Sequence, residues 1–447
     1  MDDLEYIIQK LDVVTPLGIK KIKNLEFYTN PIQIKQELDK IEEAIMAIKK
    51  GKKSLSKIKS NLKYIKDINH TIGKLKNCNV LDDIELFEIK YFSIYYEEIR
   101  KLVNLSFLKL PSLENVIAVL DPEGNKLPTF YIYNSYSFEL ATLRRKRKKA
   151  PQEEKKLLYQ REMEIEEKIR YTLSLKLKEY LLELEQALKD VEELDFILAK
   201  AELAINLTLS KPELSSSIEY EGLFNPLIKE RLEKKNQIYQ PINIKLDKGV
   251  TLITGANMTG KTVILRSLAL SQHLFQYGFY VPAKQAKIKP VAKIFLVSGD
   301  YQSILSGLSS YAAEILKLNE ILTYIKQDDC VLILLDEIAR NTNPHEGRLI
   351  VKAIIKILNN YHSISVITTH FNDVAEQNIK KFRIKGIKKS RQKMYISPTN
   401  ITELMDYSLI IDNKGKVPEE ALTIAKILNI DKELIKMIEE LKKEEQM

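Results

Sequence analysis

The sequence predicts an α + α/β protein, in which an all-helical N-terminal part is followed by an α/β domain with a mainly parallel sheet. The helical part is predicted because Pro and Gly are scarce, at 14 each among 447 residues, and apolar residues recur at helical spacing. Further along the chain, short apolar strands alternate with helical segments, which is typical of a parallel sheet covered by helices. There, a strand, a glycine-rich loop and a helix follow one another over residues 250–268.

The composition favours a soluble protein of the cytoplasm. The net charge of +9 permits nucleic-acid binding without demonstrating it. The two cysteines, Cys78 and Cys330, lie far apart in the chain and do not make a disulfide framework. The N-terminus is acidic, and no apolar run approaches the roughly 20 residues of a membrane span. We therefore expect a cytoplasmic protein with no membrane partner.

The helical part contains a long arm with a basic segment. Residues 138–205 are nearly free of Pro and Gly and carry a Leu/Ile stripe, which predicts a long helix or an antiparallel helical pair. Within this arm, residues 144–149 are all basic, and either contact phosphates or form a solvated helix face. A second basic stretch lies at 380–393. The Tyr and Phe residues of 82–103 are expected in the core, with a stacking platform as the alternative.

The α/β part begins near residue 210, where prolines punctuate short segments. The strands predicted there are 250–254, 293–298, 331–335 and 364–368. Residues 405–447 are expected to return to helix.

The glycine-rich loop matches the pattern G-x-x-x-x-G-K-[ST] at every fixed position. Its residues are Gly255, Ala256, Asn257, Met258, Thr259, Gly260, Lys261 and Thr262. In such a loop, backbone N–H groups and the helix N-terminus surround phosphate oxygens. Lys261 is expected to reach the β- and γ-phosphates, and the Thr262 hydroxyl to ligate Mg²⁺.

Two acids and a histidine follow later strands. Asp336 and Glu337 end an apolar strand, which delivers them to the carboxyl edge of the sheet, where α/β proteins bind ligands. We expect Asp336 to act on Mg²⁺, directly or through its water, and Glu337 to activate the attacking water as general base. His370 ends the next strand and is expected to sense the γ-phosphate, although a lone histidine is more often structural.

These residues together resemble the MutS family. The loop from Thr254 to Thr262 is similar to that family's nucleotide loop, in which an Asn-Met pair precedes the second glycine. The other segments that resemble the family, in order and spacing, are 278–283, 306–314, 336–342 and 368–371. Less sharply, residues 1–210 resemble its helical core and lever domains, and residues 417–441 resemble its C-terminal dimerisation helices.

The resemblance implies an ABC-type P-loop ATPase that works as a homodimer with ATP and Mg²⁺. Ser309, in the segment that resembles the signature loop, would touch the γ-phosphate bound by the other subunit. Ile238 or Tyr239 would stack on the adenine. The implied domains are a helical core with lever arms at 1–210, the ATPase domain at 211–404 and a C-terminal helical dimerisation segment at 405–447.

Two functions are consistent with this resemblance. The first is a dimeric ATP-driven clamp that acts on duplex, mismatched or branched DNA. Its phosphate contacts would come from Arg144, Arg145, Lys146 and Arg147. No segment resembles the family's mismatch-reading, clamp or nuclease domains, so a compact MutS-like ATPase is expected. The second is a protein-remodelling ATPase with no DNA client, such as a reactivating factor for a cobalamin-dependent lysine or ornithine aminomutase.

Overall fold

A computed structural model describes most of the chain and confirms the α + α/β class. The described residues are 2–127, 129–255, 259–298, 310–327, 329–340, 342–371, 374, 379–387, 405–412 and 430–444. The chain forms two compact units. The sheet unit comprises residues 1–10, 26–38 and 204–447, and the helical unit comprises residues 11–25 and 39–203.

The helices of the described residues are α1 Asp2–Gln9, α2 Pro16–Lys23, α3 Pro31–Lys50, α4 Lys52–Leu62, α5 Asn69–Lys76, α6 Asp83–Arg100, α7 Glu114–Leu120, α8 Phe138–Lys149, α9 Gln152–Lys178, α10 Leu181–Asn206, α11 Pro226–Glu233, α12 Lys261–Gln276, α13 Ser310–Tyr324, α14 Pro344–Asn359 and α15 Lys432–Glu444. The strands are β1 Glu213–Leu214, β2 Ile218–Leu223, β3 Ile242–Leu246, β4 Gly249–Thr254, β5 Gln285–Ile288, β6 Lys293–Val297, β7 Val331–Asp336, β8 Ser363–Thr369, β9 Lys380–Ile387 and β10 Met405–Ile411. None of the described helices is long and apolar enough to cross a membrane.

The helical unit contains the predicted arm as separate helices. α8 and α9 pack on each other across the turn at Ala150 and Pro151, and α10 starts after a break at residues 179–180. Ser137 begins α8 by accepting a hydrogen bond from the backbone N–H of Leu140. The predicted Leu/Ile stripe is buried, with Leu177 and Leu184 both at 0% exposure. Packing of this stripe therefore holds the helices together.

A fully buried ion pair lies in the core of the helical unit. The ammonium of Lys90 lies 2.9 Å from Asp121 Oδ1 and donates to Tyr133 Oη at 2.8 Å, and both charged side chains have 0% exposure. The backbone N–H of Lys126 donates to the other carboxylate oxygen at 2.7 Å. Burial acts to raise the pKa of Asp121, but the hydrogen bonds from Lys90 and Lys126 outweigh it and lower that pKa below its ordinary value.

A six-stranded sheet with the order β10-β9-β4-β8-β7-β6 forms the centre of the sheet unit. Its strands from β9 to β6 are parallel, and β10 is an antiparallel edge strand. β7 and β8 are buried along their whole length, which explains their continuous apolar sequence. A smaller sheet has the order β1-β5-β2-β3. All four strands predicted from the sequence are present at the predicted places.

The prediction that the chain returns to helix at residue 405 is wrong, because residues 405–411 form strand β10. Residues 405–411 pair with β9, which itself occupies the start of the second basic stretch. The β-branched and aromatic residues of β10 suit an edge strand, and a bulge between Asp406 and Leu409 interrupts the pairing. The sequence boundary at residue 210 also did not anticipate that residues 1–10 and 26–38 belong to the sheet unit.

Replacement of Lys90 by Met should destabilise the helical unit by about 3–5 kcal/mol at neutral pH, because it leaves a buried carboxylate without its cation. The penalty should shrink as the pH falls and Asp121 takes up a proton. In the wild type, the stability that Asp121 contributes is complete above its unfolded pKa and is lost as the pH falls through its lowered folded pKa. Amide hydrogen exchange in α6 measures both effects.

The double variant Lys90→Met, Asp121→Asn is the control. It removes both charges and should recover part of the lost stability. A double variant that is less stable than Lys90→Met would contradict the assignment of the penalty to an unpaired charge.

Candidate functional site

The phosphate-loop motif lies where its sequence predicts, between β4 and α12. Gly260 has φ +87°, a conformation that favours glycine, and a Cβ there would lie 3.3 Å from the ring of Tyr407. A Cβ on Gly255 would lie 2.9 Å from Thr259 Oγ1. Gly260 is therefore favoured by its left-handed backbone conformation, and Gly255 by the close approach of the Thr259 hydroxyl. Lys261 is the first residue of the helix that follows.

The ammonium of Lys261 is held at the carboxyl edge of the sheet. It donates to the Gly255 carbonyl at 2.7 Å and lies 2.9 Å from Glu337 Oε1. Its side chain is only 5% exposed. A buried ammonium at the N-terminus of a helix favours an anion.

Asp336 connects the ends of two parallel strands, β7 and β8, to the start of helix α12. Its carboxylate accepts hydrogen bonds from the Thr262 hydroxyl at 2.6 Å and from the Thr368 hydroxyl at 2.6 Å. Asp336 is the partner of Thr368 in the β7–β8 register, so both lie at the same level of the sheet. A carboxylate beside a threonine hydroxyl is a donor set that suits Mg²⁺, which binds few protein oxygens and keeps several waters. The residues present therefore fit this ion.

Glu337 is held in a strained turn directly after β7. Its φ is +46°, and that of Ala339 is +59°, an uncommon conformation for residues other than glycine. The backbone N–H of Glu337 donates to the Thr368 carbonyl at 3.1 Å. Its carboxylate lies between two cations, because Oε1 contacts Lys261 and Oε2 lies 3.1 Å from Arg340. The turn thus aims the carboxylate at the phosphate loop.

His370 follows β8 and is half-buried on the same edge. Burial lowers the pKa of the imidazole, and the charges of Lys261 and Arg340 lower it further, against the opposing effect of Glu337. The ring therefore stays neutral at pH 7 and can both donate and accept a hydrogen bond. Its ring lies 4.3 Å from that of Phe371.

A cavity of about 210 Å³ opens beside the phosphate loop. Its walls are largely apolar and come from α11, α12 and the segment before β3. Ile238, Tyr239 and Tyr407 all line it, and Ile238 is 93% exposed. Gln240 is held in place because its side chain bonds the Tyr407 backbone N–H at 3.0 Å and Asp406 at 2.9 Å. The cavity has the apolar character of a small-molecule site.

Known proteins match this chain in sequence. Residues 251–445 match the family model described as MutS domain V. An Endonuclease MutS2 from Caldicellulosiruptor saccharolyticus is 32% identical over 287 residues, which cover 63% of this chain and 34% of the relative. A DNA mismatch repair protein MutS from Staphylococcus aureus is 27% identical over 277 residues, which cover 60% of this chain and 31% of the relative.

The chain is a MutS-family protein. A second Endonuclease MutS2, from Carboxydothermus hydrogenoformans, is 30% identical over 299 residues, or 66% of this chain and 36% of the relative. The chain thus spans about a third of the length of the curated relatives it matches.

The structure brings most of the predicted catalytic residues of this MutS-family chain together. Lys261, Thr262, Asp336, Glu337 and His370 share one edge of the sheet. Four predicted nucleotide-binding residues lie outside the described residues. They are Ala256, Asn257, Met258 and Ser309.

The basic run lies in the helical unit, on α8, and much of it is already paired. Arg144 contacts Glu162 at 2.8 Å and Glu166 at 2.7 Å, and these contacts outweigh burial and raise the pKa of its guanidinium. Arg147 contacts Glu162 at 3.0 Å, and Lys146 lies 3.3 Å from Glu154. These pairs join α8 to α9.

Sequence reasoning missed several residues that position the site. Thr368 bonds Asp336, Arg340 contacts Glu337, and Glu314 of α13 accepts the Ala339 N–H at 2.8 Å. Burial raises the pKa of Glu314, against the effect of that hydrogen bond. The one signal available for Thr368 was its place at a predicted strand end. Glu314 and Arg340 lie in segments that resemble the family, 306–314 and 336–342, but their contacts could not be predicted, because they depend on the conformation of the turn after β7 and on the packing of α13 against that turn.

Proposed function

We propose that this chain binds ATP with Mg²⁺ and hydrolyses it at the carboxyl edge of β4, β7 and β8. One observation carries the proposal: Thr262 Oγ1 lies 2.6 Å from Asp336, while Lys261 Nζ lies 2.9 Å from Glu337. A phosphate-loop lysine and threonine beside two strand-end acids are the groups that phosphoryl transfer to water requires.

Each residue has a distinct role in the proposed reaction. Lys261 binds phosphate oxygens, and Glu337 takes a proton from the attacking water as general base. Thr262 and Asp336 would hold Mg²⁺, which neutralises phosphate charge when bound. Glu337 and a triphosphate compete for Lys261, so phosphate binding releases the carboxylate for its role as base. Neutral His370 lies on the same edge and hydrogen-bonds the γ-phosphate.

The cavity beside the loop is proposed to hold the adenine. It adjoins Gly260, and apolar walls suit a purine ring. Tyr239 is the better of the two sequence candidates for stacking, because Ile238 is almost fully exposed.

Glu337→Gln should lower kcat for ATP hydrolysis at least a hundredfold with a much smaller change in KM, because the amide preserves shape but cannot accept the proton. Steady-state ATPase assays measure this. The matched control is Glu346→Gln, an exposed acid at the start of α14, which should hydrolyse ATP normally. Normal turnover by Glu337→Gln would contradict the role of Glu337 as general base.

We further propose that the chain works as a homodimer, with Ser309 of each subunit completing the site of the other. Support comes from the family match and from α15, which exposes Leu434, Met437, Ile438 and Leu441 at helical spacing. A second copy of the chain would cover this apolar face.

Two inactive variants should complement each other if sites are shared. Lys261→Ala and Ser309→Ala should each lose activity alone, and a mixture should regain up to about a quarter to a half of wild-type activity, since a mixed dimer rebuilds one intact site. ATPase activity of the purified variants, alone and mixed, tests this. No recovery after subunit exchange, verified with tagged chains, would contradict the shared site.

DNA is the proposed client, which the name of the Staphylococcus aureus relative supports. The basic run supplies the contacts, but the structure narrows which residues are free to make them. Arg144 and Arg147 hold α8 to α9, whereas Arg145, Lys148 and Lys149 are exposed and make no ion pair among the described residues. These three cations are proposed to contact phosphates.

Lys148→Glu with Lys149→Glu should weaken duplex DNA binding at least tenfold at low salt and make the binding less sensitive to salt, because fewer counterions are released. Fluorescence anisotropy at several salt concentrations measures both quantities. The control is Lys20→Glu with Lys35→Glu, which makes the same charge change at exposed lysines elsewhere.

Equal DNA binding by the two double variants would contradict the proposal that α8 contacts DNA. Wild-type protein that binds no DNA at low salt would favour the protein-remodelling alternative instead.

A further inference from the structure

One acid of the N-terminal helix α1, Asp3, is hydrogen-bonded to other residues of the sheet unit. Asp3 is buried, and its carboxylate accepts hydrogen bonds from Arg266 Nε at 2.7 Å and Arg266 Nη2 at 2.9 Å. It also accepts one from Asn225 Nδ2 at 3.0 Å. Arg266 lies on α12, one turn after Thr262, so Asp3 ties α1 to the helix that follows the phosphate loop.

The third donor, Asn225, connects Asp3 to the wall of the cavity. Asn225 has 0% exposure, and its side-chain oxygen caps α11 by accepting the Ile228 N–H at 3.1 Å. Its own backbone N–H donates to the hydroxyl of Tyr239 at 3.0 Å. Ile228 and Tyr239 both line the cavity. One buried asparagine thus sets the position of two cavity walls, and Asp3 fixes the orientation of its amide.

A second contact joins α1 to α11, near the C-terminal end of α1. The Tyr6 hydroxyl donates to Glu230 of α11, and Lys10 lies 3.0 Å from the same carboxylate. Lys234, Tyr6 and Lys10 lower the pKa of Glu230 to about 2. α1 therefore holds α11 and α12 together, and residues of both helices line the cavity.

We propose that α1 is a positioning element for the nucleotide base, and that Asp3 is its key positioning residue. The proposal rests on the proposed ATP site. Asp3 acts at a distance: it orients Asn225 and Arg266, and these hold Tyr239 and α11 against α12. Its effect falls on the base, whereas Lys261 and the loop backbone bind the phosphates.

The chemistry of Asp3 is specific, because three N–H donors converge on one carboxylate. An ionised carboxylate only accepts, and its two oxygens can satisfy all three donors. An amide has one oxygen, and its NH₂ group would face a donor of Arg266 or Asn225. Asp3→Asn therefore keeps the volume of the side chain but disrupts the network.

Asp3→Asn should raise KM for ATP about tenfold and leave kcat within about twofold, since base binding weakens while the reacting groups stay in place. The decisive second measurement is competitive inhibition by inorganic tripolyphosphate, which has no base. Its inhibition constant should stay within about twofold of the wild type. A variant damaged in general would lose affinity for both ligands or lose kcat.

Glu5→Gln is the matched control, because it removes the same charge from an exposed position of α1 that bonds Gln9. It should behave as the wild type. Tyr6→Phe, which removes the contact to Glu230, should raise KM for ATP in the same direction by a smaller factor, and it keeps the proposal testable if Asp3→Asn does not fold.

Distinct outcomes separate this proposal from the one on which it rests. Wild-type protein that neither binds nor hydrolyses ATP overturns both. Wild-type turnover together with an unchanged KM in Asp3→Asn and Tyr6→Phe overturns the role of α1 alone. An equal loss of affinity for ATP and tripolyphosphate also overturns it, because α1 would then support the whole site and not the base cavity.

Discussion

The carboxylate of Asp336 is the contact on which the site depends. It accepts the hydroxyls of Thr262 and Thr368 at 2.6 Å each, and so joins the start of α12 and the ends of β7 and β8. Hydrogen bonds to a carboxylate are shorter and stronger than neutral ones, and burial strengthens them further. The continuous apolar strands supply the rigid base, because β7 and β8 are buried along their length. The ammonium of Lys261, at the start of α12, and the carboxylate of Glu337, directly after β7, lie 2.9 Å apart beside this sheet edge.

The distribution of ion pairs separates structural charges from available ones. A run of six basic residues suggests a single electrostatic patch, yet Arg144 and Arg147 contact Glu162 and join two helices. Exposed lysines of the same helix keep their charge directed to solvent. The same principle applies to the first residues of the chain, where an acidic N-terminus includes Asp3, whose carboxylate is bound to Arg266. Charged residues that form such ion pairs contribute little to the attraction of a charged ligand. The charge available to a ligand is therefore smaller than the net charge or the length of a basic run suggests.

Much of the fold and of the site could be predicted because their signals are local. The Leu/Ile stripe of the arm, the four predicted strands and the glycines of the phosphate loop all follow from periodicity or from backbone geometry over a few residues. β10 was missed because residues 405–411 become a strand only through pairing with β9 at the sheet edge. Glu337 was predicted as a base from its position after a strand. Its left-handed backbone and its contact with Arg340 depend on a turn whose shape the sequence does not state.

The sequence by itself determined the chemistry: a lysine and a threonine at a helix start, two acids at a strand end, and a histidine at another. Motifs carry this information because bonded neighbours fix the spacing of the groups. The tertiary structure decided which distant groups meet. Thr368 reaches Asp336, Glu314 reaches Ala339, and Asp3 reaches Arg266 across 263 positions of the chain. Such contacts depend on the packing of whole helices and strands, and packing is set by buried surface and by satisfied hydrogen bonds over the entire unit, which no local pattern contains.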